Sequence, residues 1–560
     1  MPEVQHRPPP RRAGVARATL TVAATALVLL ALAVPERLEG VTPAHLVRLP
    51  VEPLAYLVVV LALPPRLAGV RRVVALAGGV LLALVVVFKL LDVGFLQVLN
   101  RPFDPLVDWR YAGDLVETVR GSVEGALGTV LLVAAATVVV AVLVLVPLSV
   151  LRVTGVAARH RTASGRLVAV LLPLWLVLSL LGVRAGAGTV ASAETAGYVV
   201  AQVGRVPSEL RDRREFARAA AADPVRDVPA DELLTALRGK DVLVVFVESY
   251  GRVAVEGSTV SPRIDEVLDT GTRRLARRGL TTRSAYLTSP TFGALSWLAH
   301  ATLQSGLWVD SQQRYDQLVT SSRQTLTSLF ARAGWRTVAD VPANDRDWPQ
   351  GAFYGFDHVY DSRDVGYRGP RFGYPTMPDQ YTLEAFHRLE LAPRDRAPVM
   401  AEIDLITSHA PWSRTPRMVA RSSVGDGSVF TGMPETLASE TDIWPDADRV
   451  RAAYGRSIEY SLQALLSFLT AYADRDTVVV VLGDHQPASI VSGQDPGNDV
   501  PVALVARDPD VTDRIAGWGW DPGLRPGADA PVWRMDAFRD RFLAAYGPDG
   551  DTGTGPASPR

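Results

Sequence analysis

Hydrophobic and polar residues are distributed unevenly along the chain. The first third contains long apolar runs without charge, whereas the rest reads like a soluble protein. A helix needs about 20 apolar residues to cross a membrane. The pattern therefore predicts a five-helix transmembrane region over 18–187, with spans at 18–35, 49–64, 72–91, 127–151 and 166–186.

The second of these spans is the weakest. It is short, and Glu52 and Pro53 interrupt its apolar run. The alternative for this stretch is a re-entrant or interfacial segment that enters the membrane without crossing it. An odd number of crossings would separate the two ends of the region, so this segment bears directly on the topology.

Arginines are concentrated in alternate loops of the apolar region. Because cytoplasmic loops carry an excess of Lys and Arg, this pattern predicts that residues 1–17 are cytoplasmic. Five crossings then place everything after about residue 187 outside the cell. The arginines of the predicted cytoplasmic side are Arg7, Arg11, Arg12, Arg17, Arg66, Arg71, Arg72, Arg152, Arg159, Arg161 and Arg166. The intervening loops, including 100–124, mix arginine with acidic residues.

A charged helical pattern starts near Ser208, within a predicted juxtamembrane linker over 188–239. This helix could lie on the membrane surface or pack on the next domain, and we interpret it as a solvated linker helix.

From residue 240 onwards, apolar runs typical of strands alternate with helical patterns. This alternation predicts an α/β extracellular domain over 240–545, with a mostly parallel sheet covered by helices. A tail over 546–560, rich in Gly, Pro, Asp, Ser and Thr, is predicted to be disordered. The predicted strands are 241–249, 335–341, 398–406, 478–483 and 500–506, and the predicted helices lie near 263–278, 322–333 and 447–473.

Composition excludes several classes of function. The net charge of −1 gives no basic bias towards nucleic acid. The chain contains no cysteine, which excludes disulfides, a thiolate metal site and a cysteine nucleophile.

Acidic and imidazole side chains stand where three predicted strands end. Glu248 ends the first strand, His409 follows the third, and Asp484 and His485 follow Gly483. Ligands of open α/β sheets bind outside the carboxyl ends of the strands. Carboxylate oxygen and imidazole nitrogen are suitable ligands for a divalent metal. The pattern predicts a metal-dependent site at this edge.

A candidate nucleophile lies between the first two of these strands. Ser296 begins a short helical stretch that ends at Gly306. A hydroxyl at a helix N-terminus lies among free N–H groups, which favour an alkoxide and bind phosphate oxygens. The alternative is that Ser296 is only an N-cap, a common role for serine.

The order of these parts resembles that of the alkaline phosphatase superfamily. With five spans ahead of the domain, the chain is similar to the branch of lipoteichoic acid synthases and phosphoglycerol transferases. The resemblance rests on the strand that ends in Glu248, on Ser296 at a helix start, on His409-Ala-Pro-Trp, and on Gly483-Asp-His. It extends to Asn344-Asp-Arg-Asp-Trp and to the following Gly355-Phe-Asp-His-Val-Tyr-Asp.

The resemblance implies a role for each matching residue. One ion, manganese with magnesium or zinc as alternatives, would be held by Glu248, Ser296, Asp484 and His485. Ser296 would also be the nucleophile. By the same resemblance, Arg346 would bind phosphate, and His409 would bind substrate or act as an acid–base group.

The sequence also departs from the branch. Its synthases usually carry threonine as the nucleophile, so Thr291 and Thr288 are alternatives to Ser296. The Asn-Arg-Asp stretch has one extra residue. No histidine follows His485, so a second metal of the phosphatase kind is not expected. Without cysteine, a sulfatase that uses formylglycine made from cysteine is excluded.

The resemblance implies a membrane enzyme that transfers a phosphoglycerol or related head group. The donor would be a membrane phospholipid outside the plasma membrane, and the acceptor an envelope glycan, a polymer or water. A hydrolase is the nearest alternative. A non-catalytic membrane scaffold is the alternative from another class, and bound metal would discriminate against it.

Overall fold

The computed structural model describes residues 11–35, 48–99, 101–105, 108–111, 113, 127–185, 188–493 and 496–548. Arg7, most of the loop over 100–124 and the predicted disordered tail from 549 lie outside the described residues. The chain divides into two compact units, of which the first holds residues 1–97, 101–112 and 125–211. The second holds 98–100, 113–124 and 212–560.

The first unit is built from apolar helices. Among its described residues, four helices are long and apolar enough to cross a membrane. The helix bounds are α1 Arg11–Ala33, α2 Val51–Ala62, α3 Ala68–Leu99, α4 Leu127–Arg159 and α5 Arg161–Leu180. Two pairs of two-residue strands accompany them, Leu49–Pro50 with Ala191–Ser192 and Arg184–Ala185 with Gly188–Thr189.

The second predicted span is the exception to the expected five. α2 has 12 residues, equivalent to about 18 Å of helix, against a hydrocarbon thickness of about 30 Å. It ends at Ala62 because the next residue, Leu63, precedes Pro64 and takes an extended conformation. Among the described residues, the structure therefore has four helices long enough to span a membrane and one short apolar helix, where five spans were predicted.

A long helix, α6 (Glu194–Ala221), occupies the predicted linker. Its last part belongs to the second unit. Asp212 forms an ion pair with Arg314, and Phe216 is buried in an apolar cluster with Leu298 and Tyr315. The interpretation of a solvated helix is therefore wrong for this part, because its apolar and charged residues pack on the domain.

Nine strands form the sheet of the second unit, in the order β8-β2-β7-β6-β1-β5-β3-β4, with β9 also paired to β2. The strands are β1 Asp241–Val247, β2 Thr281–Thr288, β3 Arg336–Asp340, β4 His358–Tyr360, β5 Val399–Leu405, β6 Thr477–Gly483, β7 Asp499–Ala506, β8 Asp521–Pro522 and β9 Val532–Arg534.

The sheet is mixed. Strands β6, β1, β5, β3 and β4 run parallel to one another. β7 is antiparallel to both β6 and β2, and β8 is antiparallel to β2. All five predicted strands are present, in the parallel block and β7. The antiparallel pairs of β7 and β8 depart from the expectation of a mostly parallel sheet. Their shared partner β2 was not predicted from the sequence.

Helices cover both faces of the sheet. Alternate residues of β1 face opposite cores, as the two-residue period of a strand requires. Leu243 and Val245 pack in one core with residues of α7 and α13, and Val244 and Phe246 pack in the other with residues of α8 and α10. The helices are α7 Ser261–Arg277, α8 Ser296–Ser305, α9 Gln312–Val319, α10 Leu326–Arg332, α11 Asp379–Phe386, α12 Glu440–Ile443, α13 Ala447–Tyr472, α14 Ser489–Ser492, α15 Pro509–Asp513 and α16 Ala537–Tyr546.

Candidate active site

The register of β6 and β1 places two of the predicted metal ligands side by side. Gly483 is paired with Val247, so Glu248 and Asp484 leave adjacent parallel strands at the same level. A Cβ on Gly483 would lie 1.9 Å from the carbonyl oxygen of Tyr250. Only glycine therefore allows the two strand ends to approach this closely.

Ser296 is the first residue of α8. The preceding residue, Leu295, takes the left-handed conformation with φ of 69° and caps the helix without a side-chain hydrogen bond. The Ser296 hydroxyl donates to Glu248 Oε2 at 2.9 Å and lies 3.3 Å from His485 Nε2. Its contacts are with the predicted ligands, so the N-cap alternative does not describe this residue.

Backbone strain marks both sides of this contact. Ser249, directly after Glu248, has φ of 57°, and Leu295, directly before Ser296, is also left-handed. Such conformations cost roughly 1–3 kcal/mol and cluster at functional sites. The backbone N–H of Ser249 donates to Asp484 Oδ1 at 2.8 Å, and its hydroxyl donates to Glu248 Oε1 at 2.8 Å. The strained residue thus orients both carboxylates.

The remaining atoms of Asp484 and His485 are suited to a cation. Asp484 Oδ1 accepts the N–H groups of Ser249 and His485, whereas Oδ2 is buried with no hydrogen-bond partner among the described residues. His485 Nδ1 lies 2.8 Å from the Gln486 carbonyl. A proton on Nδ1 leaves the Nε2 lone pair directed at Glu248 and Ser296, which is the usual arrangement of a metal-binding histidine. The donor set of Glu248, Asp484 and His485 fits a divalent ion, and all three ligand atoms lie within 4.8 Å of one another.

Charge in this cluster is unbalanced. Burial raises the pKa of Asp484, and the nearby charge of Glu248 raises it further. Burial also opposes ionisation of Glu248, but the fields of His485 and His409 outweigh it and lower the pKa of Glu248. Two carboxylates so close in a buried site favour a single negative charge unless a cation lies between them.

The two alternative hydroxyls have other partners. Thr288 Oγ1 donates to Asp499 Oδ1 at 2.8 Å, and Thr291 is buried with its hydroxyl 3.5 Å from Ser289 Oγ. Of the three candidates, Ser296 is the one that contacts Glu248 and His485. This geometry favours Ser296 as the nucleophile.

His409 lies on the loop that follows β5. Its half-buried ring stacks on Tyr374 with ring centroids 3.6 Å apart, and the hydroxyl of the preceding Ser408 donates to the Glu248 carbonyl. This loop is therefore tied to the end of the strand that precedes Glu248, a predicted metal ligand. Arg346 is exposed on the loop after β3, and its phosphate-binding role stays a prediction.

A buried ion-pair cluster beside the site was not predicted. His300 lies one turn after Ser296 on α8 and stacks on Phe246 of β1, with ring centroids 3.7 Å apart. Its Nδ1 donates to Glu402 Oε1 at 2.9 Å and lies 3.7 Å from Asp404 Oδ1. Gln304 donates to the other oxygen of Glu402. These contacts hold α8 against the sheet and so fix the position of Ser296.

His300 faces two carboxylates in this cluster, Glu402 and Asp404. Burial lowers the pKa of His300, but the adjacent Asp404 and Glu402 outweigh it and raise the pKa to about 9. The imidazolium is therefore the stable form at neutral pH, where it pairs with both carboxylates. Two features of the sequence could have predicted this cluster. His300 lies four residues after Ser296, and Glu402 and Asp404 alternate in the otherwise apolar strand β5.

Comparisons with solved structures give distant similarities. The crystal structure of the lipoteichoic acid synthase LtaP from Listeria monocytogenes is 14% identical, with a TM-score of 0.36 over 60% of this chain and 81% of that chain. The Streptococcus pyogenes phosphoglycerol transferase GacH, in complex with sn-glycerol-1-phosphate, is 14% identical, with a TM-score of 0.36 over 63% and 88%. The periplasmic domain of EptC from Escherichia coli, in complex with Zn, is 14% identical, with a TM-score of 0.31 over 47% and 72%.

No curated protein matches the chain. Residues 240–510 match the family model described as sulfatase. The matched segment contains β1 to β7, α8 and all four predicted metal-site residues. Residues 240–510 thus carry a sulfatase-type domain, as the resemblance to the alkaline phosphatase superfamily predicts.

Proposed function

We propose that the protein is a membrane-anchored transferase of phosphoester head groups, with phosphoglycerol as the head group, that acts on a phospholipid donor outside the membrane. The observation that carries the proposal is the position of the Ser296 hydroxyl, which contacts Glu248 at 2.9 Å and His485 at 3.3 Å. A serine held against a carboxylate and an imidazole at a helix start has the surroundings of an activated nucleophile.

The first step would form a phospho-enzyme. Ser296 Oγ passes its proton to Glu248 Oε2, towards which that proton is directed, and bonds to the phosphorus of the lipid. The bond from phosphorus to the diacylglycerol oxygen breaks, and that oxygen leaves with the bonding pair and takes a proton. We assign the proton to His409, because its loop is bonded to the Glu248 strand end.

The second step would return Ser296 to its starting form. A hydroxyl of an envelope glycan or polymer, or water, bonds to the phosphorus and loses its proton to His409. The bond from phosphorus to Ser296 Oγ then breaks, and Glu248 returns the proton to Ser296. The N–H groups at the start of α8 and the Arg346 guanidinium are the candidate partners of the phosphoryl oxygens.

A divalent ion would be held by Glu248, Asp484 and His485. When bound, it supplies positive charge that favours the Ser296 alkoxide and offsets the charge of the phosphoryl group. We propose manganese, with magnesium or zinc as alternatives, because the ligand set mixes carboxylate oxygen with one imidazole.

The apolar helices give the proposal its location. They would anchor the domain at the membrane surface, where lipid head groups are within reach. We propose that the N-terminus is cytoplasmic and that the catalytic domain is extracellular, on the basis of the alternating arginine loops.

Head-group release from defined phospholipids tests the proposal. The full chain, in vesicles that contain phosphatidylglycerol with a labelled head group, should release diacylglycerol and pass label to an added acceptor or to water. The lipid product identifies the broken bond. Phosphatidic acid with free glycerol, or no turnover of any phospholipid class, would contradict the proposal.

A further inference from the structure

A cleft of about 490 Å³ opens beside the loop that carries His409. It lies between this loop, α7 and α13. Among the described side chains that line it, four are arginines and one, Glu459, is acidic. The arginines are Arg263, Arg414, Arg417 and Arg456. In a chain whose net charge is −1, this is a local excess of positive charge.

The excess is only partly neutralised inside the cleft. Glu459 forms an ion pair with Arg263. Arg417 makes a long hydrogen bond of 3.4 Å to the neutral hydroxyl of Thr436. No hydrogen bond or ion pair joins Arg456 to another residue in the described part of the chain. Burial lowers the pKa of Arg456, and the charge of Arg263 lowers it further, as expected where cations face one another.

The cleft is linked to the active site through one segment. Trp412 lines the cleft and donates its indole N–H to the Ser408 carbonyl at 2.7 Å. The Ser408 hydroxyl in turn donates to the carbonyl of Glu248. Two hydrogen bonds therefore connect the wall of the cleft to a predicted metal ligand, and His409 lies between them in sequence.

We infer that this cleft binds a phosphate-bearing segment of the acceptor chain, an inference that rests on the proposed function. The donor phosphoryl group would react at Ser296, so a second anionic group must be held elsewhere. Guanidinium groups bind phosphate through paired N–H donors. The apolar wall formed by Trp412, Pro416 and Met418 suits the carbon skeleton between successive phosphates. A chain bound here would continue towards the loop of His409.

Charge reversal in the cleft provides the test. The variant R417E/R456E changes two exposed side chains of the cleft. A matched control, R273E/R475E, makes the same charge change on exposed residues outside it. Each full-length protein, in detergent, is titrated with a short poly(glycerol phosphate) oligomer. The neutral variant R417Q/R456Q and thermal unfolding curves identify losses that come from misfolding.

We expect R417E/R456E to bind the oligomer about tenfold more weakly than the control variant, with R417Q/R456Q between them. Equal affinities of R417E/R456E and R273E/R475E for the oligomer would overturn the inference, whether or not both bind more weakly than the wild type. A second titration uses vesicles that contain phosphatidylglycerol. Loss of vesicle binding with unchanged oligomer binding would assign the cleft to lipid head groups and also overturn the inference. Head-group release by the wild type is measured separately, so failure of the proposed function is distinguishable from failure of the cleft.

Discussion

The hydroxyl of Ser296 lies 2.9 Å from Glu248 Oε2, although 48 residues separate the two in sequence. The contact exists because α8 packs beside the carboxyl end of β1 and begins at that level. His300 stacks on Phe246 two residues before Glu248, which holds the helix in this register. The proposed nucleophile and a proposed metal ligand are thus positioned by the same helix–strand contact.

The buried, unpartnered Asp484 Oδ2 predicts a metal ion. Elemental analysis of the purified chain should find about one divalent ion per chain, as in open catalytic sites. His485→Ala should reduce this occupancy strongly, because it removes the nitrogen ligand. Ser296→Ala should retain most of the metal, since three protein ligands remain. Unchanged metal content in His485→Ala would mean that the ligand assignment is wrong.

The close approach of Gly483 to Tyr250 predicts a large effect of one methyl group. In Gly483→Ala the new Cβ would meet a backbone carbonyl at 1.9 Å, and backbone cannot rotate away. We expect a loss of at least about 2 kcal/mol in the free energy of unfolding, together with loss of bound metal. Gly165→Ala, where no atom lies within 4 Å, is the matched control. Thermal unfolding that is the same for both variants would contradict this reading of the strand ends.

Asp379 predicts a pH dependence of stability. Its carboxylate accepts the N–H of Thr407 and the hydroxyl of Ser461, and burial raises its pKa to about 6. Because the folded chain holds this proton more tightly than the unfolded chain, the contribution is complete below about pH 4. It is lost as the pH rises through about 6 and amounts to at most about 3 kcal/mol.

Asp379→Asn keeps a neutral group that can bond to both partners. Denaturant unfolding between pH 4 and 8 should therefore show a smaller fall in stability for this variant than for the wild type. The exposed Asp448 supplies the control substitution, Asp448→Asn. A fall in stability as steep in Asp379→Asn as in the wild type would exclude Asp379 as its source.

The strands of the parallel block were predictable because they are buried on both faces. β1 and β6 are nearly continuous apolar runs, and their ends placed Glu248, Asp484 and His485 at one edge. The strand β2 was not predictable in this way, because it begins Thr-Thr-Arg-Ser. Ser284 is nevertheless fully buried, because β7 and β8 flank it. Tertiary context, and not local propensity, makes this segment a strand.

The site, like the sheet, was predictable only where local sequence decides the structure. Ser296 could be proposed from its place at a helix start, but not its contact with Glu248, which depends on how α8 packs. The cluster of His300, Glu402 and Gln304 was missed for the same reason. The topology also could not be read from hydropathy alone, because α2 is too short to be counted as a span by length.

Whether α2 crosses the membrane decides if the N-terminus and the residues after 240 lie on opposite sides. Reporters fused at the N-terminus and after residue 240 should report opposite sides of the membrane, with the second outside the cytoplasm. A third fusion between α2 and α3 should report the cytoplasm. Signals from the same side at the N-terminus and after residue 240 would mean an even number of crossings, and an extracellular donor would then be wrong.

Substitution of Ser296 tests the proposed covalent mechanism most directly. Ser296→Ala should abolish donor turnover in the full chain while the domain stays folded and metal remains bound. The loss should be of many powers of ten, far beyond the ~1 kcal/mol of a lost N-cap. Thr291→Ala, at a buried hydroxyl that does not contact Glu248, is the control and should keep turnover.

Mass spectrometry of the wild type, incubated with donor and without acceptor, locates the phosphoryl group. If Ser296 forms the phospho-enzyme, a phosphate-bearing peptide modified at Ser296 is expected. Modification at Thr291 or Thr288 would mean that this threonine, and not Ser296, is the nucleophile. Full activity of Ser296→Ala, with no modified peptide anywhere in residues 286–306, would contradict the covalent mechanism itself.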